Sequence, residues 1–66
     1  MQKILRMPQL EHYVGLSRAS IYRAIKKHQF PEPYRLTARA VGWRREDVDE
    51  WIAARERVST DVEEEP

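Results

Sequence analysis

Residues 17–28 carry the side chains of this chain that are best suited to chemistry, and that chemistry is the binding of a polyanion. The stretch contains four cations and no acid: Arg18, Arg23, Lys26 and Lys27. At about 100° per residue, Ile21, Ala24 and Ile25 fall within one narrow arc, and the basic side chains lie opposite that arc or on its flanks. The pattern predicts a short helix with one apolar edge and one basic edge.

Side chains of these types fit the base edges and phosphates of DNA. Arginine pairs with guanine O6 and N7, tyrosine donates to phosphate or packs on a thymine methyl, and a small residue permits close approach. We therefore expect base contacts from the early, outward part of the helix: Arg18, Ala19, Tyr22 and Arg23. Lys26 and Lys27 would attract phosphates without reading sequence. Ser17 and Ser20 could bind phosphate too, although a helix cap and an exposed serine are the alternatives.

Catalytic and metal chemistry are not expected. Cysteine is absent, which excludes disulfides and thiolate metal sites. His12 and His28 have no adjacent nucleophile or carboxylate constellation, so we expect no catalytic residue, no cofactor and no small-molecule substrate. The sequence has neither a long apolar run nor an apolar signal region, and we therefore expect a cytoplasmic protein with no membrane partner.

Charge divides sharply along the chain. Residues 1–45 hold ten Lys or Arg and two Glu, a net +8, whereas residues 46–66 hold two Arg and nine acids, a net −7. Such asymmetry favours a polyanion-binding surface with an acidic flank. A basic face that is merely solvated remains the alternative.

The elements that must position the basic helix can be traced on its N-terminal side. Pro8 fits the first turn of a helix that runs to about Val14, and Gly15 lies where a left-handed turn residue is needed. Ser17 is then a good N-cap for the basic helix, which we expect to end near Lys27 or His28. A helix, a tight glycine turn and a basic helix form the layout of a helix-turn-helix, whose second helix enters the DNA major groove.

On the C-terminal side, the prolines of 30–33 predict an extended connector. Alternation over 34–43 predicts two short strands joined by 37–40, and 45–57 reads as a third helix. We expect 1–6 to be an extended lead, with Ile4 or Leu5 reaching the core. We expect 58–66 to be a disordered acidic tail that solubilises the chain or folds onto the basic face.

These elements predict one mainly α domain over residues 1–57, with three helices and a two-stranded β-hairpin, a winged helix-turn-helix. Its predicted core draws apolar side chains from every element: Leu5, Leu10, Tyr13, Val14, Leu16, Ile21, Ile25, Phe30, Leu36, Val41, Val48, Trp51 and Ile52, with Trp43 also buried. Net stability should be modest, because conformational entropy offsets most of the burial in so small a domain.

Five strings carry a resemblance to a known family: Leu5-Arg6-Met7-Pro8, Tyr13 to Arg23, Phe30-Pro31-x-Pro33, Arg39-Ala40-Val41-Gly42-Trp43 and Asp47-Val48-x-x-Trp51-Ile52. Together they resemble the AlpA-type regulators of prophages and other mobile elements, which belong to the MerR-like and excisionase-like winged helix-turn-helix group. The resemblance covers about residues 4–56. The family often has glycine where this chain has His28, and two glycines in the wing turn where it has Thr37 and Ala38.

The resemblance implies that the second helix reads the major groove while the hairpin wing flanks it. Arg39, at the expected wing tip, would then reach the minor groove or a phosphate. Arg44 and Arg45 would either meet a phosphate or pair with Asp47 or Asp49. Because so small a module buries little DNA surface, self-association on double-stranded DNA is also expected.

The sequence thus favours a sequence-specific DNA-binding transcriptional regulator of a prophage or mobile element. An excisionase that bends attachment-site DNA is one alternative, and a module that binds an acidic protein partner is another. The predicted DNA-binding residues share an outward position on the basic helix or the wing: Ser17, Arg18, Ala19, Ser20, Tyr22, Arg23, Lys26, Lys27 and Arg39.

Overall fold

The computed structural model describes residues 3–58, which form six elements. In chain order these are β1 (Ile4–Leu5), α1 (Met7–Val14), α2 (Arg18–Lys26), β2 (Tyr34–Thr37), β3 (Ala40–Arg44) and α3 (Arg45–Ala53). The strands form an antiparallel sheet in the order β1-β3-β2. The predicted mainly α fold with a small hairpin is confirmed. The predicted acidic tail lies, apart from Val58, outside the described residues.

The N-terminal lead is more than an extended approach to the core, because it adds a third strand to the predicted hairpin. Ile4 pairs with Arg44 and Leu5 with Trp43. Gly42 makes this close approach possible: a Cβ there would lie 2.7 Å from Ile4 Cγ2 and 3.2 Å from the Leu5 carbonyl oxygen. A side chain at position 42 would therefore push β1 away from β3.

The glycine turn and the N-cap of the basic helix are confirmed. Gly15 has φ 74°, and its N–H donates to the Glu11 carbonyl at 2.9 Å. Ser17 is extended and its Oγ accepts the Ser20 N–H at 3.2 Å. These two local devices end α1 and start α2 within three residues, which sets the tight turn between the helices.

The end of α2 is fixed by a left-handed histidine. His28 has φ 59°, its N–H donates to the Ile25 carbonyl at 3.0 Å, and the Gln29 N–H donates to the Ala24 carbonyl at 2.8 Å. This pair of bonds is a Schellman motif, in which the C′ position normally favours glycine. Histidine tolerates the left-handed region well enough to replace it.

The third helix is shorter than predicted, since α3 ends at Ala53 and not at residue 57. Its buried anchor is Val48, and Trp51 is half-buried. Beyond Ala53 the residues to Val58 are exposed, so another turn would bury no apolar surface. A helix of this length depends on packing more than on propensity, and it stops where the packing stops.

The core is smaller than predicted. It consists of side chains that are nearly inaccessible to water: Leu5, Leu10, Ile21, Phe30, Trp43 and Val48. The prediction was wrong for three others, because Tyr13 is 42% exposed, Leu36 40% and Ile52 41%. Tyr13 reaches outward to a polar partner, and Leu36 lies on β2, an edge strand whose four residues are all exposed. Ile52 lies beside the buried stripe of α3. Between residues 3 and 58, no helix is long and apolar enough to cross a membrane.

Candidate nucleic-acid interface

The basic side of α2 is presented to solvent while its apolar side closes the core. Ile21 is fully buried, and Ala24 and Ile25 are half-buried. The predicted site residues of this region lie on the outward side, and all but the half-buried Ser20 are exposed: Ser17, Arg18, Ala19, Tyr22, Arg23, Lys26 and Lys27. The helical geometry therefore brings these predicted residues together on one surface, which we call the α2 face.

Within residues 3–58, no acid forms an ion pair with the cations of the α2 face. Within residues 3–58 the two ion pairs are Arg44 with Glu46 and Arg45 with Asp49, the latter with 4.0 Å between Arg45 Nε and Asp49 Oδ2. Neither involves α2. The guanidinium carbon of Arg18 lies 5.5 Å from the centroid of the Tyr22 ring, a cation–π contact that holds both side chains on the outward side.

The serines at the start of α2 are engaged with each other. The Ser17 Oγ accepts the Ser20 N–H and also lies 3.0 Å from the Ser20 Oγ, to which it donates. The prediction that Ser17 caps the helix is confirmed. A phosphate contact by either hydroxyl stays a prediction.

Glu11 is a residue of the site that sequence reasoning missed. Its Oε2 accepts the backbone N–H of Arg18 at 3.0 Å, so an acid on α1 binds the first turn of α2. The negative charge complements the positive end of the helix dipole. A signal was available, because Glu11 is the one acid among residues 1–31.

The wing places Arg39 at its tip. Ala38 and Arg39 form the turn between β2 and β3, and both are exposed. Among the described residues positive φ occurs at Gly15 and His28 alone, so this turn is not one of the two-residue types that glycine usually favours. It is braced instead by side chains: Thr37 Oγ1 accepts the Arg39 N–H at 3.2 Å, and Arg35 Nη1 donates to the Ala38 carbonyl at 3.2 Å.

The two arginines at the start of α3 have carboxylate partners. Arg44 pairs with Glu46, which is not one of the two partners considered from sequence, and Arg45 lies within ion-pair distance of Asp49. The Tyr13 hydroxyl donates to Asp49 Oδ1 at 2.5 Å. This hydrogen bond, with smaller contributions from desolvation and the Asp49 charge, raises the pKa of Tyr13, while the Arg45 charge opposes the shift. Here both arginines and the tyrosine contact carboxylates, although Arg45 Nη1 is buried without a hydrogen-bond partner.

The exposed groups of the site are of the kinds that bind anions. The α2 face and the wing tip offer guanidinium, ammonium and hydroxyl groups to solvent. Over the described part of the chain, no three His, Cys, Asp or Glu side chains are grouped as metal ligands.

Comparison with known proteins gives one family and two relatives. The family described as prophage CP4-57 regulatory protein (AlpA) matches residues 3–56. An uncharacterised protein of Enterobacteria phage P4, ORF88, is 39% identical over 54 residues, which cover 82% of this chain and 61% of that protein. The DNA-binding transcriptional activator AlpA of Escherichia coli K12 is 32% identical over 59 residues, covering 80% of this chain and 84% of that protein. The chain thus spans about three fifths of the length of the phage P4 relative. No solved structure matches the chain.

Proposed function

The chain belongs to the AlpA family of prophage regulatory proteins, and on that premise we propose that it is a sequence-specific DNA-binding transcriptional regulator of a prophage or other mobile element. The observation that carries the proposal is the α2 face, an acid-free row of cations on the second helix of a helix-turn-helix. A helix in that position fits the major groove. The E. coli relative, whose name describes DNA binding and transcriptional activation, supports the same assignment.

In this proposal some residues of the α2 face contact DNA bases and others contact the DNA backbone. Arg18 and Arg23 read guanine through O6 and N7, with Tyr22 beside them and Ala19 allowing close approach. The Ser17 side chain lies against a phosphate.

The rest of the α2 face and the wing supply attraction and orientation. Lys26 and Lys27, with Ser20, contact the backbone and contribute little sequence information. Arg39 at the wing tip enters the adjacent minor groove or contacts its phosphate. Two copies on adjacent sites would give the affinity that one small module lacks.

The decisive experiment selects bound duplexes from a random pool and then measures affinity for the winning site across a range of salt. We expect a defined consensus, and an association constant that falls with salt by a logarithmic slope of about −0.9 for each phosphate contacted. Lys27→Ala should make that slope shallower by about one. Arg57→Ala removes the same charge outside the α2 face and is the matched control, with an unchanged slope.

Two outcomes would overturn the proposal in different ways. Weak binding to every duplex with a flat salt dependence would remove DNA as the partner and favour the protein-interaction alternative. Footprints over several tandem sites beside an attachment locus, with no promoter site, would assign an excisionase and not a regulator.

A further inference from the structure

Both tryptophans of the chain hold the connector that leads from α2 to the wing. Trp51 Nε1 on α3 donates to the Gln29 carbonyl at 2.7 Å, and Trp43 Nε1 on β3 donates to the Pro31 carbonyl at 2.9 Å. Sequence reasoning assigned both rings to the core. The two indole N–H groups add a second task, since each fixes one peptide of a segment that has no regular structure.

The residue between those two peptides is fixed as well. Phe30 is 5% exposed, and its ring meets the Trp51 ring edge-on with centroids 4.7 Å apart and an interplanar angle of 62°. The proline that follows restricts Phe30 to extended conformations. Three consecutive residues are thus fixed: Gln29 and Pro31 through their carbonyl groups and Phe30 through its buried ring.

The contacts that fix residues 29–31 are continuous with those that end α2. The Gln29 N–H belongs to the Schellman motif that ends the helix, donating to Ala24, and the Gln29 carbonyl belongs to Trp51. On the other side, Trp43 lies in β3, the strand that pairs with β2 to form the wing. The end of α2 is therefore tied through successive hydrogen bonds to the wing and to α3.

We propose that Trp43 and Trp51 are positioning residues that fix the distance and angle between α2 and the wing, so that the protein binds a DNA site tightly only when the segments met by α2 and by the wing are correctly spaced. The inference rests on the proposed function. One base pair of extra spacing moves a contact by about 3.4 Å along the duplex and about a tenth of a turn around it. A connector held at three successive residues resists that displacement, and the loss of one of these contacts weakens the resistance.

The test uses Trp51→Phe, which keeps an aromatic ring against Phe30 and removes the Nε1–H donor. Two duplexes are compared: the selected site, and the same site with one base pair inserted between the segments protected by α2 and by the wing. We expect the parent protein to bind the inserted site at least tenfold more weakly. The variant should bind the selected site more weakly than the parent does. The ratio of its affinities for the two duplexes should be several-fold smaller than the parent's ratio.

A matched control separates positioning from loss of stability. Val48→Ala truncates a fully buried core side chain and removes no hydrogen bond to the connector. It should lower the thermal midpoint and retain the parent's discrimination between the two duplexes. If Trp51→Phe does not fold, a synthetic chain with benzothienylalanine at position 51 replaces the N–H with sulfur in a ring of the same shape.

The outcomes are distinct. Discrimination by the position-51 variant equal to that of the parent would overturn the positioning role while leaving DNA binding intact. If the selection from the random pool enriched no duplex with the parent protein, the proposed function itself would be overturned.

Discussion

The helices α2 and α3 have the same length, nine residues, and treat their charges in opposite ways. In α3 the first turn carries Glu46 and Asp47, which complement the helix dipole with the helix's own acids. In α2 the first turn carries no acid. Its positive end is met instead by Glu11, an acid on the neighbouring helix α1.

The difference indicates what each surface is free to do. An acid within the first turn of α2 would lie among the cations that are proposed to contact DNA. Its negative charge would repel the DNA phosphates. Because the stabilising charge comes from α1, every charged residue of the α2 face is a cation. Two acids of α3 instead bind groups of the protein itself: Glu46 pairs with Arg44, and Asp49 contacts Arg45 and Tyr13. These contacts stabilise the fold.

The largest effect that would test this comparison is expected from Arg23→Ala. Arg23 is exposed on the α2 face, outside both ion pairs of the described residues, so its removal should leave stability nearly unchanged. We expect a loss of about 1–3 kcal/mol in binding free energy at the selected site and relaxed preference at one base position. The measurement is a titration of the selected duplex and of single-base variants.

Two further variants help to interpret the effect of Arg23→Ala. Lys27→Ala should weaken binding to all sequences alike, because a phosphate contact carries no sequence information. Glu50→Ala on α3 removes an exposed charge from the other helix and should cause no loss of affinity. If Arg23→Ala and Lys27→Ala both bound the selected site like the parent, the assignment of α2 to the major groove would be wrong.

A medium effect, on stability, is expected from Glu11→Ala. Removing the carboxylate leaves the first-turn N–H of Arg18 without its partner, as in the loss of an N-cap, which costs about 0.5–2 kcal/mol. Urea unfolding should record this loss. Glu32→Ala, an exposed acid in the connector, is the control and should change the free energy of unfolding by less than about 0.5 kcal/mol. Equal effects from the two substitutions would show that the link from Glu11 to α2 has no energetic importance.

Local signals made α1 and α2 predictable from sequence. Pro8, Gly15 and Ser17 act within a few residues of their own position, and each does in the structure what its type favours. The end of α2 near His28 was predictable for the same reason, because a helix C-cap depends on the conformation of the few residues around it. The exposed positions on the α2 face followed directly from the helical period.

What sequence could not provide depends on contacts between distant residues. The pairing of the two-residue strand β1 with β3 joins Ile4 to Arg44, and a strand so short has no pattern of its own. The indole bonds to the connector carbonyls are equally invisible, since any tryptophan in a core position would look the same. Tyr13 fitted the apolar stripe of α1, and its exposure follows from a partner, Asp49, that lies 36 residues later.

The smallest effect is expected from Tyr13→Phe, which removes the one hydrogen bond that joins α1 to the acids of α3. That bond raises the pKa of Tyr13, so its contribution to stability is fully present below the usual tyrosine pKa of about 10 and is lost as pH rises through the raised value. The difference in urea unfolding between parent and variant should therefore be small at pH 8 and vanish at higher alkaline pH. Absorbance titration should show a tyrosine with a raised pKa in the parent and in the control Tyr34→Phe, but not in Tyr13→Phe. A stability difference that grew with pH would mean that Asp49 does not hold Tyr13 in its neutral form. The contrast between the paired charges of α3 and the α2 cations, which have no acid partner within residues 3–58, would then lose one of its supports.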